Sequence, residues 1–156
     1  MSVYRIKVID HDFSGPHLLT GIFAIPPNRR DLEKVIQAKK EGYPRITRVN
    51  LHYKITLNAG YAPVSVPLPP EVTIKVGNCR GENKTIKTIT AETTYWTIFP
   101  TGYKIDAEGD IDITEEYNCV NQPFGLNTVQ AIILPGSGIN PTGHITIEIT
   151  GEVIGI

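Results

Sequence analysis

Four histidines are the first side chains to consider for catalysis or metal binding in this chain of 156 residues. His11, His17, His52 and His144 are dispersed and form none of the short spacings that bring zinc ligands together. His11 lies in Asp10-His11-Asp12, a triplet that we expect in a loop and that could hold a divalent ion. Because charged loop residues beside glycine and proline are more often simply solvated, we predict no metal site there.

An acidic run, Asp106-Ala107-Glu108-Gly109-Asp110-Ile111-Asp112, places a carboxylate at every second residue. Calcium binds several hard oxygens, so Asp106, Glu108, Asp110 and Asp112 could bind a divalent ion together. The glycine does not have the position that an EF-hand requires, and the alternation with isoleucine is typical of a strand whose acids face water. The strand is the favoured interpretation, and ion binding by these acids stays open.

Serine nucleophiles are few, and none lies in the setting that activates them. Ser2, Ser14, Ser65 and Ser137 do not occupy a Gly-x-Ser-x-Gly elbow before a helix. Ser137 lies in Pro135-Gly136-Ser137-Gly138, which a tight turn explains and which leads to a strand, whereas a phosphate loop leads into a helix. A carboxylate pair for glycoside hydrolysis stays open, because the fold sets its separation. We predict a protein that is not an enzyme and has no cofactor.

Two cysteines, Cys79 and Cys119, are too few for a disulfide scaffold. They could pair, but their separation in space cannot be derived from the sequence. Disulfides are rare in cytosolic proteins outside hyperthermophiles, so one thiol in a turn and one packed thiol are the favoured interpretation.

The charge balance limits the partners. Fifteen basic and sixteen acidic residues give a formal net charge of −1, and the basic residues are scattered. Such a chain has no field to attract nucleic acid or an anionic membrane. No stretch approaches the roughly 20 apolar residues of a membrane span, and the N-terminus lacks the features of a secretory signal. We expect no direct contact with nucleic acid, no membrane insertion and synthesis in the cytosol.

Alternation with period two dominates the rest of the sequence. In the predicted strand Ile46–Leu57, apolar residues at odd positions from Val49 onward alternate with polar residues, as in a strand with one buried face. Further predicted strands, rich in isoleucine and threonine, are Val3–Ile9, Leu18–Ile25, Ala62–Val66, Glu71–Val76, Thr85–Thr90, Tyr95–Phe99, Asp110–Thr114, Thr128–Leu134 and His144–Ile154. Predicted turns include Asn58-Ala59-Gly60, Thr101-Gly102 and Glu108-Gly109. The pattern predicts a single all-β domain, an antiparallel β-sandwich.

One segment predicts a helix. Asn28 can cap it, and Leu32, Val35 and Ile36 form an apolar stripe at helical spacing. Gly42 follows as a left-handed C-cap. We expect this helix, near Asp31–Lys40, to cover one open end of the sandwich.

The neighbours Tyr95 and Trp96 should face opposite sides of a strand, so we expect one in the core and the other exposed. An exposed aromatic ring could stack on a sugar or be buried by a neighbouring subunit.

The order of elements resembles that of viral single jelly-roll coat proteins, in which a short helix commonly follows the second of eight strands. Val3–Ile9 and Leu18–Ile25 would be the first two strands, Arg29–Glu41 the helix, Arg45–Leu57 the third strand and His144–Ile154 the last. The composition looks like that of proteins from thermophilic archaea and their viruses. Many small coat proteins carry a long basic N-terminal arm, whereas this chain starts at its first strand, so direct genome packaging is not expected.

The resemblance implies a virion structural protein, made in the host cytoplasm, that associates with itself or with a second coat protein. We expect Ala62–Val66 and Thr128–Leu134 to be edge strands that need covering, and Pro63–Pro70 and Pro135–Gly143 to be contacts between subunits. The alternatives are a carbohydrate-binding β-sandwich module and, after it, an enzyme of undefined chemistry. Oligomeric state in solution separates the first two.

Overall fold

The computed structural model describes residues 1–43, 46–77, 81–119 and 127–155. Its elements are, in order, β1 (Ser2–Ser14), β2 (His17–Phe23), α1 (Arg29–Lys40), β3 (Ile46–Tyr61), β4 (Glu71–Gly77), β5 (Asn83–Thr90), β6 (Glu92–Trp96), β7 (Phe99–Asp112), α2 (Thr114–Cys119), β8 (Asn127–Leu134) and β9 (Gly138–Val153). Among these described residues, no helix is long and apolar enough to cross a membrane.

The strands form two antiparallel sheets. Sheet A has the order β1-β9-β3-β7-β6 and sheet B the order β2-β8-β4-β5. Strand β1 pairs with β9, β2 with β8, β3 with β7 and β4 with β5, so the chain is one long hairpin folded over into two layers. This pairing is the jelly-roll arrangement, in which β6 is an additional edge strand. The predicted all-β, jelly-roll-like sandwich is confirmed.

The core lies between the sheets and follows from the alternation. Val49, Leu51 and Ile55 of β3, together with Ile147 and Ile149 of β9, are completely buried. Their polar neighbours along each strand face water on the outer side of sheet A. The two strands lie side by side at the centre of sheet A, so this apolar face forms the middle of the core.

Three predicted turns are wrong, because the strands run through them. Residues 58–60 lie within β3, and Gly102 and Gly109 lie within β7. The glycines are needed for space: a Cβ at Gly109 would lie 2.6 Å from the Tyr53 hydroxyl, and one at Gly102 would lie 2.5 Å from the Ala59 carbonyl oxygen. Glycine therefore marks close packing at these positions rather than a change of direction.

Both expected edge strands are also wrong. Residues 62–66 form no strand, and Thr128–Leu134 lies in β8, which is paired on both sides by β2 and β4. The alternation of buried and exposed residues is the same in a central strand and in an edge strand, so it could not distinguish the two.

The predicted helix is confirmed as α1. The Asn28 side chain accepts hydrogen bonds from the N–H groups of Arg30 and Asp31. At the C-terminus, Gly42 has φ +86°, and the Tyr43 N–H donates to the Ala38 carbonyl oxygen at 2.8 Å, as in a Schellman motif. The helix buries Leu32, Val35 and Ala38, whereas Ile36 is only half-buried.

The strand pattern did not predict α2. Its Tyr117 is buried, and the Ile25 N–H donates to the Tyr117 hydroxyl at 2.9 Å. Burial raises the pKa of Tyr117 to about 12. Cys79 lies outside the described residues, and the side chain of Cys119 is not described either, so their pairing stays a hypothesis.

Because Leu51 is completely buried at the centre of sheet A, replacing it with alanine should leave a cavity between the sheets. We expect Leu51→Ala to lower the free energy of unfolding by about 2–5 kcal/mol. The matched control on the same strand is Lys54→Ala, whose exposed side chain should change it by no more than about 0.5 kcal/mol. Urea denaturation measures both, and equal effects would contradict the assigned register.

Candidate functional site

The outer face of sheet A carries the acidic run that the sequence analysis singled out. Asp106, Glu108, Asp110 and Asp112 lie in β7 and face water, opposite the polar residues of β3. The strand interpretation is confirmed: Ile113 is fully buried on the opposite side. Within the described part of the chain, no group of three or more His, Cys, Asp or Glu side chains could hold a metal ion.

His52 lies between two of these carboxylates. Its Nδ1 is 3.0 Å from Asp110 Oδ1, and its Nε2 is 3.1 Å from Glu108 Oε1. Asn50 also donates to Asp110 Oδ1, at 2.9 Å. Ionised carboxylates only accept hydrogen bonds, so both ring nitrogens donate when the ring is an imidazolium. The hydrogen bond to Asp110, with a smaller contribution from Glu108, raises the pKa of His52 above its ordinary value of 6.5.

His144 makes a second arrangement of the same kind on the same face. Its Nδ1 is 2.7 Å from Asp12 Oδ1, and its Nε2 is 2.7 Å from Asp10 Oδ1. These bonds, the one to Asp12 first, raise the pKa of His144, and the bond from His144 lowers the pKa of Asp10. The Asp10-His11-Asp12 triplet is therefore not a loop: it lies in β1, and its carboxylates bind a histidine 132 residues further along the chain.

A β-bulge explains this placement. The register between β1 and β9 shifts between Lys7 and Ile9, so the alternation of β1 changes phase there. As a result Asp10 and Asp12 lie on the outer face together with Lys7, and Ile9 is buried. No sequence signal identifies this cluster, because the bulge in β1 and the choice of β9 as its neighbour both depend on how the strands pair.

The two histidine clusters connect neighbouring strands of sheet A. His144 connects β9 to β1 and His52 connects β3 to β7, so each joins a central strand of sheet A to its outer neighbour. Their chemistry is that of titratable links between strands.

A second surface, at one end of the sandwich, carries few charges, in contrast to the charged outer face of sheet A. The connections β1–β2, β3–β4, β6–β7 and β8–β9 all lie at one end of the sandwich, as the strand registers require. Glu71 and Glu92 border this end: Glu71 pairs with Leu134, and the β5–β6 connection, residues 90–92, lies beside it because Thr90 pairs with Glu71. Within the four connections, residues 13–18, 57–70, 93–103 and 132–143 contain no Asp, Glu, Lys or Arg. We call this surface the uncharged end.

Large apolar side chains are concentrated at the uncharged end. Of the fifteen that the described residues expose, ten lie in its connections or within two residues of the adjoining strand ends: Leu18, Val64, Val66, Leu68, Tyr95, Trp96, Ile98, Phe99, Leu134 and Ile139. Large exposed apolar patches typically mark interaction sites.

The β6–β7 hairpin forms the most exposed part of this end. Tyr95, Trp96, Ile98 and Phe99 are 61, 76, 82 and 67% exposed. The expectation that Tyr95 or Trp96 packs in the core is wrong. The pairing of β3 with β7 ends at Gly60 and Gly102, so the hairpin tip extends beyond the sandwich, where sheet B does not cover it.

The proline-rich segment and the β8–β9 turn lie together at the same end. The Leu68 N–H donates to Ser137 Oγ at 2.9 Å, and the Ser137 N–H donates to the Leu68 carbonyl oxygen at 2.7 Å. Gly136 has φ +53° and passes so close to Leu68 that a Cβ would clash with its carbonyl oxygen. The two loops that the sequence analysis proposed as subunit contacts thus form one continuous surface.

No protein-family model and no curated protein matches the chain. Among solved structures, it is similar to the infectious bursal disease virus VP2 subviral particle, with a TM-score of 0.38 and 13% identity over 96% of this chain. It is also similar to a structure of the Gx strain of infectious bursal disease virus, with a TM-score of 0.36 and 13% identity over 96% of this chain. A structure of the Gt strain matches with a TM-score of 0.32 and 10% identity over 99% of this chain.

The chain spans 32–38% of the length of those proteins. The proteins in these structures are viral, and they give no support to an origin in viruses of thermophilic archaea. At this level of similarity they carry no argument about function, which has to rest on the surfaces described above.

The contacts of the two histidines predict separable titrations. Followed by NMR, both rings should have pKa values above 6.5. Asp110→Asn should lower the pKa of His52 and leave that of His144 unchanged, because the two clusters share no residue, and Asp12→Asn should do the reverse. Each variant is the control for the other, and a shift of both pKa values by one substitution would contradict the contacts.

The same pKa shifts predict how stability depends on pH. Since folding raises both histidine pKa values, their contribution is complete below pH 6.5 and is lost as the pH rises through the raised values. The free energy of unfolding, measured with urea at stepped pH, should fall over that interval. The decrease in the free energy of unfolding should be smaller in the double variant His52→Gln/His144→Gln than in the unmodified chain. An equal decrease in the two proteins would show that the histidine clusters do not cause it.

Proposed function

We propose that this chain is a structural subunit of a virion and acts by associating with copies of itself, or with a second coat protein. The observation that carries the proposal is the uncharged end, where four connections of a jelly roll expose ten large apolar side chains and no Asp, Glu, Lys or Arg. Jelly rolls are a common architecture of capsid subunits, and they also serve other functions. The surface therefore supports the proposal more than the fold does.

Symmetry explains why an uncharged surface suits self-association. Around a symmetry axis the same residues of different copies come close together, so charged residues would repel their own counterparts. The uncharged end avoids this repulsion, and burying its apolar side chains supplies a driving force. The charged outer face of sheet A, with Asp106, Glu108, Asp110 and Asp112 in one column, would be costly to bury in the same way.

The proposal includes a location in the virion after synthesis in the host cytoplasm. It includes no direct contact with nucleic acid and no membrane insertion, in keeping with the net charge of −1 and the scattered basic residues. It also includes no enzymatic activity. An origin in a virus of a thermophilic archaeon stays a hypothesis that rests on composition alone.

A carbohydrate-binding β-sandwich module is the second candidate. It is favoured by one observation, the exposure of Tyr95, Trp96 and Phe99 on a single hairpin, because exposed aromatic rings can stack on sugars. A sugar site also needs polar groups that bind hydroxyls, and Thr94 and Thr101 are the nearest on the paired strands.

Sedimentation velocity over a wide concentration range, followed by electron microscopy, tests the leading proposal. We expect the sedimentation coefficient to rise with concentration and closed particles or rings to form, alone or with a protein encoded by a neighbouring gene. A glycan array is run on the same preparation. A chain that stays monomeric alone and with its neighbour, and that binds a defined glycan, would overturn the coat-protein proposal and support the second candidate.

A further inference from the structure

We propose that copies of this chain associate through a contact between two different patches of the uncharged end, the aromatic hairpin of one copy binding the proline-rich loop of the next. The aromatic hairpin is Tyr95, Trp96, Ile98 and Phe99, and the proline-rich loop is residues 62–70. This inference rests on the proposed self-association and adds which residues meet and with what geometry.

The proline-rich loop has the features of a segment that aromatic side chains bind. It contains Pro63, Pro67, Pro69 and Pro70, and it runs between β3 and β4 without regular structure. Proline fixes φ near the extended value, so such a segment loses little conformational entropy on binding and presents its rings to an aromatic surface. Pro63 and Pro67 are exposed and available to a partner, whereas Pro69 is half-buried and Pro70 is buried.

The loop is also held in place. The two hydrogen bonds between Leu68 and Ser137 fix its middle, and the Ala91 N–H donates to the Pro70 carbonyl oxygen at 2.8 Å. Val66 and Leu68 are nevertheless exposed, at 72% and 61%. A fixed backbone that exposes apolar side chains and proline rings is preorganised for a partner, which lowers the cost of binding.

The hairpin provides the complementary surface. Trp96 and Phe99 are opposite each other across the β6–β7 pair, next to Tyr95 and Pro100, so one short antiparallel unit carries all three aromatic residues. Tryptophan and tyrosine are the residue types most enriched among those that dominate binding energy. Because the hairpin extends beyond the sandwich, it can reach a neighbouring molecule.

A second copy is the partner that the charges favour. The hairpin and the loop are both exposed in the isolated subunit, so neither buries the apolar side chains of the other within one chain. Residues 55–70 and 93–103 contain no charged side chain. An anionic membrane would be attracted by a cluster of Lys or Arg beside the aromatic residues, and a charged partner protein by a cluster of opposite charges. The nearest charges are instead Glu92 and Lys104, which pair at the base of the hairpin, and Glu71, which follows the loop. Two uncharged segments of the same chain meet without losing hydrated charges.

Because the hairpin and the loop are different patches, their contact is heterologous. Each copy then uses its hairpin toward one neighbour and its loop toward the other, and the repeated contact gives a closed ring or an open filament, depending on the rotation between copies. A contact between two hairpins would instead be isologous and would stop at a dimer. This difference makes the geometry testable by mixing two variants.

The hairpin variant is Trp96→Ala/Phe99→Ala, and the loop variant is Pro67→Ala/Leu68→Ala. We expect each variant to raise the dissociation constant of self-association about 30-fold or more, because each removes side chains from the centre of the proposed contact. The control is Tyr43→Ala, which removes an equally exposed aromatic side chain from the opposite end and should associate like the unmodified chain. Circular dichroism and urea denaturation establish that each variant is folded.

Mixing the two variants is the decisive experiment. Each retains the patch that the other lacks, so the mixture should form a 1:1 heterodimer with one intact contact and no ring. Trp96 is the only tryptophan of the chain, so all tryptophan fluorescence in the mixture comes from the loop variant. Its emission should shift to shorter wavelength as the hairpin variant is added, because Trp96 becomes buried.

The outcomes separate this inference from the proposed function. Assembly of the unmodified chain without any effect of either variant, or loss of assembly in the hairpin variant alone, would overturn the heterologous contact and leave the coat-protein role standing. An unmodified chain that stays monomeric at every concentration and with its neighbour, and binds phosphatidylcholine vesicles or a glycan through Trp96, would overturn both.

Discussion

The structure depends on one constraint, the burial of a single face of β3 and β9 at the centre of sheet A. Because side chains alternate along a strand, a slip of one residue in this pairing would move Leu51 and Ile149 into water and bring charged side chains into the core. The register of the central pair then sets which residues of β1 and β7 can lie beside it. The positions of both histidine clusters follow from that register, although the clusters contribute little to the core itself.

The jelly-roll connections separate two kinds of surface on one small protein. Charged residues occupy the outer face of sheet A, where cross-strand pairing places β7 carboxylates opposite polar residues of β3. Four connections that carry no Asp, Glu, Lys or Arg come together at one end. Strands that fold back on one another bring distant segments to the same end, so residues 62–70 and 135–137 contact each other although about 70 residues separate them. The charged face favours contact with water, and the uncharged end favours contact with another molecule.

The histidine clusters and the uncharged end have different physical roles. His52 and His144 join neighbouring strands through exposed hydrogen bonds, which solvent screens, so their effect is a modest dependence of stability on pH. The hairpin side chains, by contrast, lie in water: Trp96 and Ile98 are 76% and 82% exposed. A surface of this composition is costly to leave in water, and that cost is the physical basis of the proposed assembly.

Local patterns determined much of the fold. Alternation identified most of the strands and their inward faces, and Asn28 and Gly42 correctly marked the ends of α1. Two predicted strands were wrong: residues 62–66 form none, and Tyr95–Phe99 spans the turn between β6 and β7. The strand character of Asp106–Asp112 also followed from alternation. The tertiary structure alone decided that Asp10 and Asp12 contact His144, that β8 is a central strand, that Gly102 and Gly109 are packing positions, and that Tyr95 and Trp96 are both exposed. The reason is physical: alternation reports which face of a strand is buried, whereas bulges, strand neighbours and the reach of a hairpin depend on which distant segments pair.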